Sequence, residues 1–234
     1  MKKTPNLHTH RHSRVLMLYY SFSGQTSGIL HCLANGLKDE GVAVVFEKLK
    51  PVAPPRFPVG SYLQTITMMV TTLFRVRIPI KKPDSRVADH YDLIILAGPT
   101  WSYNPSGPVL DFLAKYGPKF LGQQVVLPVI SCRGYWRIHW FGLRKILVRC
   151  GALVPNVIVF SHPAREPWRT FGVFLKIVGK APERHRFIGR FYKRFGHNRE
   201  QMEEAERFGR EIGVALKNAT SLSEIDFRTT VALP

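Results

Sequence analysis

Five short apolar runs, in a fixed order along the chain, limit the fold most strongly. Each run is continuous rather than alternating, which is typical of strands that are covered on both faces, as in a parallel sheet. Helical patterns separate the runs, and such alternation predicts an α/β fold with a doubly wound, five-stranded parallel sheet and helices on both faces. The predicted strands are Val15–Tyr20, Val42–Glu47, Leu93–Ala97, Gln124–Ile130 and Asn156–Phe160.

The chain length and two long connections define the domain organisation. The 234 residues, 45% of them hydrophobic, suffice for one buried core. We expect a single domain over residues 14–217, between a tail at 1–13 and a C-terminal tail at 218–234. Two connections exceed the usual length, so we treat residues 51–91 and 161–199 as insertions. The first contains an apolar stretch that is either a helix or a flap.

The sequence YYSFSGQTSGIL, residues 19–30, lies where the first strand passes into a helix. Ligands of open α/β sheets bind beyond the carboxyl ends of the strands, so this loop belongs to the expected crevice. A helix start offers free amides that suit phosphate, and a glycine lets the backbone approach an anion closely. The alternative is that Ser23 simply caps the helix and the other polar groups belong to a turn.

Two later loops are expected to open onto the same crevice. AGPTWSYNPSG follows the third strand and offers a Pro99 turn and Trp101, and ISCRGYWRIHW follows the fourth and offers Tyr135, Trp136 and Trp140. Aromatic side chains on crevice loops suit the stacking of a flat ring. The alternative is that each tryptophan fills the core under a loop. His139 and His162 also fall near this crevice, but the sequence assigns them no role.

These motifs resemble the flavodoxin-like, FMN-binding family. SFSGQT is similar to that family's phosphate loop, and GPTW to the loop whose aromatic residue stacks on the isoalloxazine. The resemblance implies the strand order 2-1-3-4-5 and FMN as cofactor. It implies that the phosphate is held by Ser21, Ser23, Gly24, Gln25 and Thr26. One side of the flavin would be lined by Pro99, Thr100 and Trp101, and the other side by Ser131, Cys132, Arg133, Gly134 and Tyr135.

The implied function is an oxidoreductase that passes electrons or hydride to a hydrophobic or quinone-like acceptor. NAD(P)H stays a candidate donor, although the chain shows no fingerprint for a nicotinamide nucleotide. Electron-carrier flavodoxins are small and acidic, whereas the third loop here carries Arg133 and is followed by Arg137. Positive charge near the flavin would make it easier to reduce. Related reductases dimerise over the flavin, so a homodimer is a further expectation.

The chain also resembles a subgroup often labelled dialkylresorcinol condensing enzymes, which implies an alternative function in lipid or acyl biosynthesis. Condensation on thioesters needs an activated cysteine with histidine partners, and Cys132 is the candidate nucleophile. A third alternative is a binding protein that keeps the fold without flavin. No catalytic residue is assigned from the sequence.

A large excess of positive charge points to a polyanionic partner. The chain has 34 Lys+Arg against 16 Asp+Glu, and residues 133–199 hold fifteen basic residues and only two acids. Basic and aromatic residues alternate in 161–199, so this insertion is either a lid over the crevice or a face that lies on an anionic membrane. Without an RNA motif, we do not expect nucleic acid as a partner.

The cysteines and the N-terminal residues indicate the compartment. Three cysteines without metal-ligand spacing predict free thiols and no metal site. Residues 1–14 lack the apolar core of a secretion signal, and the longest uncharged run, 57–74, is too polar to span a bilayer. We therefore expect a cytoplasmic protein; if the second insertion is a membrane face rather than a lid, the protein is peripheral on the inner membrane face.

Overall fold

The computed structural model describes residues 13–230 of the chain. The strands are β1 (Arg14–Tyr19), β2 (Ala43–Lys48), β3 (Leu93–Trp101), β4 (Asn104–Pro105), β5 (Val126–Cys132) and β6 (Ile158–Ser161). The α-helices are α1 (Gln25–Asp39), α2 (Tyr62–Leu73), α3 (Gly107–Lys115), α4 (Gly117–Leu121), α5 (Trp136–Arg149), α6 (Trp168–Ile177) and α7 (Arg199–Lys217). Short 3₁₀ turns occur at Ser85–Ala88, Pro182–Arg184, Ile188–Arg190 and Leu222–Glu224.

The sheet has the order β2-β1-β3-β5-β6, with all neighbours parallel. Numbered by the five predicted strands, this is the expected order 2-1-3-4-5. Alternate side chains of β1 enter two separate cores: Val15 and Met17 pack with α1 and α7, whereas Leu16 and Leu18 pack with α3 and α5. Burial on both faces explains why the strand sequences are continuously apolar. The predicted doubly wound α/β fold is confirmed.

The third strand is longer than predicted, and this moves two site residues from a loop into the sheet. Pro99 and Thr100 were expected in a turn after residue 97. Instead Pro99 still pairs with Ser131 of β5, and Thr100 pairs antiparallel with Pro105 of β4. The strand continues because Ser102 and Tyr103, with φ of 42° and 67°, form a tight hairpin that returns the chain.

The segment that follows α7 packs against the domain, although residues 218–234 were expected to form a tail. Leu222 and Phe227 are buried in the core, and the Phe227 ring meets Phe208 of α7 edge-on at 5.3 Å. Thr230 donates to Glu204 Oε1 from both its amide and its hydroxyl, at 2.6 Å. The chain therefore belongs to the domain as far as residue 230. The expected N-terminal tail lies, except for Ser13, outside the described residues.

The two insertions contact each other above the carboxyl ends of the strands. The amide of Val59 donates to the carbonyl of Ile177 at 2.7 Å, and the Phe57 ring stacks on Phe195 with 5.6 Å between centroids. We call residues 57–62 and 173–197 together the cover. In residues 13–230 no helix is both long and apolar enough to cross a membrane.

Candidate functional site

The loop after β1, residues 21–27, presents free backbone amides at the start of α1, and we call it the cradle. Gly24 precedes α1 with φ 84°, and no side chain caps the helix, so the interpretation of Ser23 as the cap is wrong. The Ser27 amide donates to Ser21 Oγ at 3.3 Å. Within residues 13–230, the amides from Ser23 to Thr26 have no acceptor. Free amides at a helix start favour an anion.

A small cavity of about 120 Å³ lies directly beside the cradle. Its roof consists of Phe57 and Phe195 from the cover, and His162 and His197 also line it. Nine predicted site residues border this cavity: Ser23, Gln25, Thr26, Pro99, Thr100, Trp101, Ser131, Cys132 and Arg133. The structure thus brings three sequence-distant loops to one crevice. Ser21 and Gly24 belong to the cradle but do not border the cavity.

A large cavity of about 490 Å³ adjoins the small one. The hairpin residues 101–103 and residues Arg133 and Gly134 line it, together with apolar side chains of α2 and α6 such as Met69, Leu73 and Phe174. Both cavities share Thr100, Trp101, Arg133, Val173 and Ile177. The volume is within the range of small-molecule sites, and the mostly apolar lining with few polar groups is typical of them.

Trp101 stands at the junction of the two cavities, and its orientation is fixed by other aromatic rings. Only 8% of its surface is exposed. Its ring meets Tyr20 edge-on at 5.6 Å and Phe22 edge-on at 5.3 Å. Edge-to-face contacts of this kind hold a ring in one position. Trp101 therefore offers both cavities a rigid aromatic surface.

The hairpin after Trp101 also holds α2 in place. Thr72 Oγ1 lies 2.8 Å from Ser102 Oγ, which in turn lies 2.8 Å from the carbonyl oxygen of Met69. Asn104 Nδ2 donates to the carbonyl of Thr72 at 3.1 Å, and its Oδ1 accepts from Arg75 Nε at 2.8 Å. The Thr72 side of α2 thus faces the hairpin, while apolar side chains of the same helix line the large cavity. The apolar stretch of the first insertion is a helix, which resolves the choice between helix and flap.

The loop after β5 contributes buried polar groups rather than a ring of aromatics. Ser131 Oγ lies 2.8 Å from His197 Nε2, and Cys132 Sγ lies 3.3 Å from Ser161 Oγ. Burial raises the pKa of the Cys132 thiol to about 11, so the thiol form dominates near neutral pH. A cysteine in this state is a poor nucleophile.

The aromatic residues after Cys132 are mostly directed away from the site. Tyr135 is 53% exposed, borders neither cavity and meets Tyr103 at 6.0 Å. Trp136 and Trp140 belong to α5 rather than to a crevice loop. Trp136 borders a separate groove with Phe227 and carries the Arg137 guanidinium over its ring at 5.2 Å. The expected aromatic contribution of these tryptophans to the crevice is not found.

Three buried histidines surround the site. His139 and His162 were expected near the crevice from their positions in the sequence, whereas His197 was not. Thr100 Oγ1 lies 2.6 Å from His139 Nδ1, and burial lowers the pKa of His139 to about 3. Burial lowers the pKa of both His162 and His197 to about 4. The latter two come from the second insertion. No spacing in the sequence links His197 to the other two, because only tertiary packing brings it to the site.

The cover is attached to the cradle through Gln25. Its Oε1 accepts from the His197 amide at 3.1 Å. A Cβ atom at Gly196 would come within 2.0 Å of the same oxygen, so a side chain at that position would displace Gln25. The His162 Nε2 atom accepts from the Gly196 amide at 3.3 Å. This end of the second insertion therefore lies over the cradle in the position of a lid.

The strand order and the crevice at the carboxyl ends of the strands define the flavodoxin-like α/β fold. Similar solved structures include a flavoprotein in complex with FMN from Lactobacillus acidophilus NCFM, 20% identical with a TM-score of 0.50, covering 63% of this chain and 93% of that one. A flavoprotein from Bacteroides eggerthii DSM 20697 is 16% identical with a TM-score of 0.50, covering 72% and 99%. At these identities the likeness concerns the fold. No model of a known protein family matches the chain, and a search of curated proteins finds no significant match.

Proposed function

We propose that this chain is an FMN-binding oxidoreductase. The observation that carries the proposal is the meeting, at Trp101, of a cradle with free amides and a 490 Å³ apolar cavity. A solved flavoprotein of the same fold is a complex with FMN, which supports the assignment. Bound FMN would supply electron or hydride transfer at its ring.

The residues of the cradle fit the phosphate of FMN. The free amides of residues 23–26 and the hydroxyl of Thr26, which borders the small cavity, are donors for phosphate oxygens. At Gly24 a Cβ position has no atom within 4 Å, so the backbone is open there. The small cavity by itself is below the usual size for a ligand, whereas the large cavity is within it. We therefore assign the phosphate to the cradle and the ring to the large cavity.

The large cavity also suggests the class of acceptor. Met69, Val70 and Leu73 form its wall on α2, and no charged side chain of α2 enters it. Arg133, which borders both cavities, brings a permanent positive charge. An apolar wall beside one cation suits a hydrophobic, quinone-like acceptor that gains negative charge on reduction. The donor of electrons in this proposal is NADH or NADPH.

The alternative of acyl condensation is less well supported. It requires Cys132 as a thiolate with a histidine partner, whereas burial keeps Cys132 protonated and its hydrogen-bond partner is Ser161. The His197 ring contacts Ser131 instead, and His162 bonds to Cys132 only through its backbone amide, which donates to the Cys132 carbonyl at 3.0 Å.

The test is the flavin content of the purified full chain. We expect flavin absorption in the visible range and release of one FMN per chain on heating. If the protein is colourless, added FMN should be bound and then reduced by NADH or NADPH, with a soluble quinone accelerating turnover. A colourless protein that does not bind added FMN overturns the proposal. FMN that binds but is reduced by neither nucleotide restricts the proposal to flavin binding and rejects that donor.

A further inference from the structure

Helix α2 has its polar and apolar sides reversed relative to an ordinary surface helix. Its buried residues are Thr65 and Thr72, whereas Leu63 and Phe74, which follows the helix, are 74% and 75% exposed. The hydroxyl groups of these threonines form hydrogen bonds within the protein. Thr65 Oγ1, for example, donates to the carbonyl of Ser61 at 2.7 Å. A surface helix normally buries its apolar stripe, so this arrangement implies an apolar environment outside.

The exposed apolar surface continues from α2 onto α5. Arg75 after α2 approaches Gly142 of α5, where a Cβ would lie 3.2 Å from its guanidinium. Tyr103 and Tyr135 meet at 6.0 Å between the two helices. We call this surface the apolar face; its exposed members are Leu63, Ile66, Val70, Leu73, Phe74, Tyr103, Tyr135, Ile138 and Phe141.

The two chain segments that supply most of the apolar face carry basic residues and no acid. Residues 56–83 contain five basic residues and no acid, and residues 112–165 contain eight basic residues and no acid. On α5, Arg137 and Arg144 lie one turn before and after the exposed Phe141. Exposed apolar side chains next to arginines complement an anionic bilayer surface. A second copy of this chain would instead bring like charges together.

We propose that the apolar face docks onto an anionic lipid bilayer, with α2 lying in the interface. Ile66, Val70 and Leu73 are both exposed on this face and part of the wall of the large cavity. Docking would therefore set the α2 wall of the cavity against the acyl region. The acceptor then comes from the membrane; this last step rests on the proposed function, whereas the docking itself does not.

Co-sedimentation with vesicles tests the docking. The vesicles are phosphatidylcholine alone, or phosphatidylcholine with one third phosphatidylglycerol. We expect binding to the anionic vesicles only, weakened by salt. The double variant Leu63→Ser with Phe74→Ser should bind at least about tenfold more weakly. Its control is Leu153→Ser with Val214→Ser, which changes exposed apolar residues away from this face and should bind as the unmodified chain does.

Charge variants provide an independent test. Arg137→Gln with Arg144→Gln should weaken binding by about fivefold for each charge removed. Arg199→Gln with Arg207→Gln, on α7, is the control and should have little effect.

Leu63 and Phe74 border neither cavity, so FMN binding measured without vesicles should be unchanged in the Leu63→Ser, Phe74→Ser variant. A failure of flavin binding and a failure of docking are thus seen separately.

Three results overturn the inference. The first is absence of binding to the anionic vesicles. The second is binding that the Leu63→Ser and Phe74→Ser changes leave intact, because the docking surface then lies elsewhere. The third is a dimer in sedimentation velocity, without lipid, that these two changes dissociate, because the apolar face is then an interface between two copies.

Discussion

The rings of Phe57 and Phe195 stack at 5.6 Å with an angle of 19° and close the small cavity above the cradle. Each ring comes from a different insertion, so this contact joins the two halves of the cover. An aromatic pair of this kind contributes about 1 kcal/mol beyond its buried area. The pair roofs the small cavity beside the cradle, so we expect loss of one ring to make the cradle easier to reach.

Replacing Phe195 with alanine should speed the exchange of bound FMN. We expect the dissociation rate of FMN to rise about tenfold in Phe195→Ala, because the roof of the small cavity is lost. Stopped-flow displacement of FMN by an excess of a competing flavin measures this rate. Phe187→Ala is the matched control, since Phe187 is exposed in the same insertion and borders neither cavity. Equal rates in both variants contradict the role of the cover.

Gly196→Ala should lower the free energy of unfolding more than the same substitution at another glycine with positive φ. Gly196 has φ 88°, and a Cβ there displaces Gln25, so the bond from the His197 amide to Gln25 is lost. Gly41→Ala is the control because Gly41 has φ 72° and open space around it. Backbone strain is common to both variants, so we expect an excess loss of about 1 kcal/mol in Gly196→Ala from the lost bond. Urea unfolding measures it; equal losses contradict the contact.

The buried histidines should make stability fall with acid. Their pKa values, about 4 for His162 and His197 and about 3 for His139, lie below the ordinary value, so the folded protein binds fewer protons than the unfolded chain. The histidines therefore do not lower the free energy of unfolding above about pH 6.5. As the pH falls from there toward about 4, each histidine lowers it by about 1.4 kcal/mol per pH unit. Urea unfolding across this range measures the slope. His139→Gln should reduce the slope, while His90→Gln, at an exposed position, should leave it unchanged; an equal effect of both contradicts the assignment.

Arg133 should raise the reduction potential of bound FMN. Arg133 borders both cavities, whereas Arg137 stacks on Trp136 and borders neither. From the sequence, both arginines were candidates for a place beside the flavin. Losing about 1.4 kcal/mol of stabilisation of the reduced flavin lowers a two-electron potential by about 30 mV. We expect a decrease of at least that size in Arg133→Gln and little change in Arg137→Gln. A spectroelectrochemical titration decides it, and similar potentials in the two variants contradict the assignment.

The sheet could be predicted from the sequence because its signal is local. Runs such as Leu93–Ala97 are apolar on both faces, and that pattern already implies helices on each side. The loop at Ser23–Thr26 was likewise found from small hydroxyl residues and a glycine beyond a buried strand. Both features depend on neighbouring residues alone, so composition and order suffice to find them.

The parts that sequence reasoning missed depend on contacts between distant residues. Ser131 meets His197 across 66 positions, and no pattern marks either residue as a partner of the other. Trp136 looked like a crevice aromatic, but α5 begins at this residue and directs it to the C-terminal segment. The burial of threonines and exposure of apolar residues on α2 could not be predicted either. The hairpin at Ser102, which is distant in sequence, supplies the hydrogen-bond partner of the buried Thr72.

The central claim is that the cradle binds the phosphate of a flavin nucleotide, and a comparison of FMN with riboflavin tests it most directly. Titrations followed by flavin fluorescence should give an affinity for FMN at least about a hundredfold above that for riboflavin, because only FMN uses the free amides. Thr26→Val should lower the FMN affinity about tenfold and leave riboflavin unchanged, while Thr67→Val, on the exposed side of α2, should alter neither. Equal affinities of the unmodified chain for the two flavins, or no binding of FMN, would contradict the account.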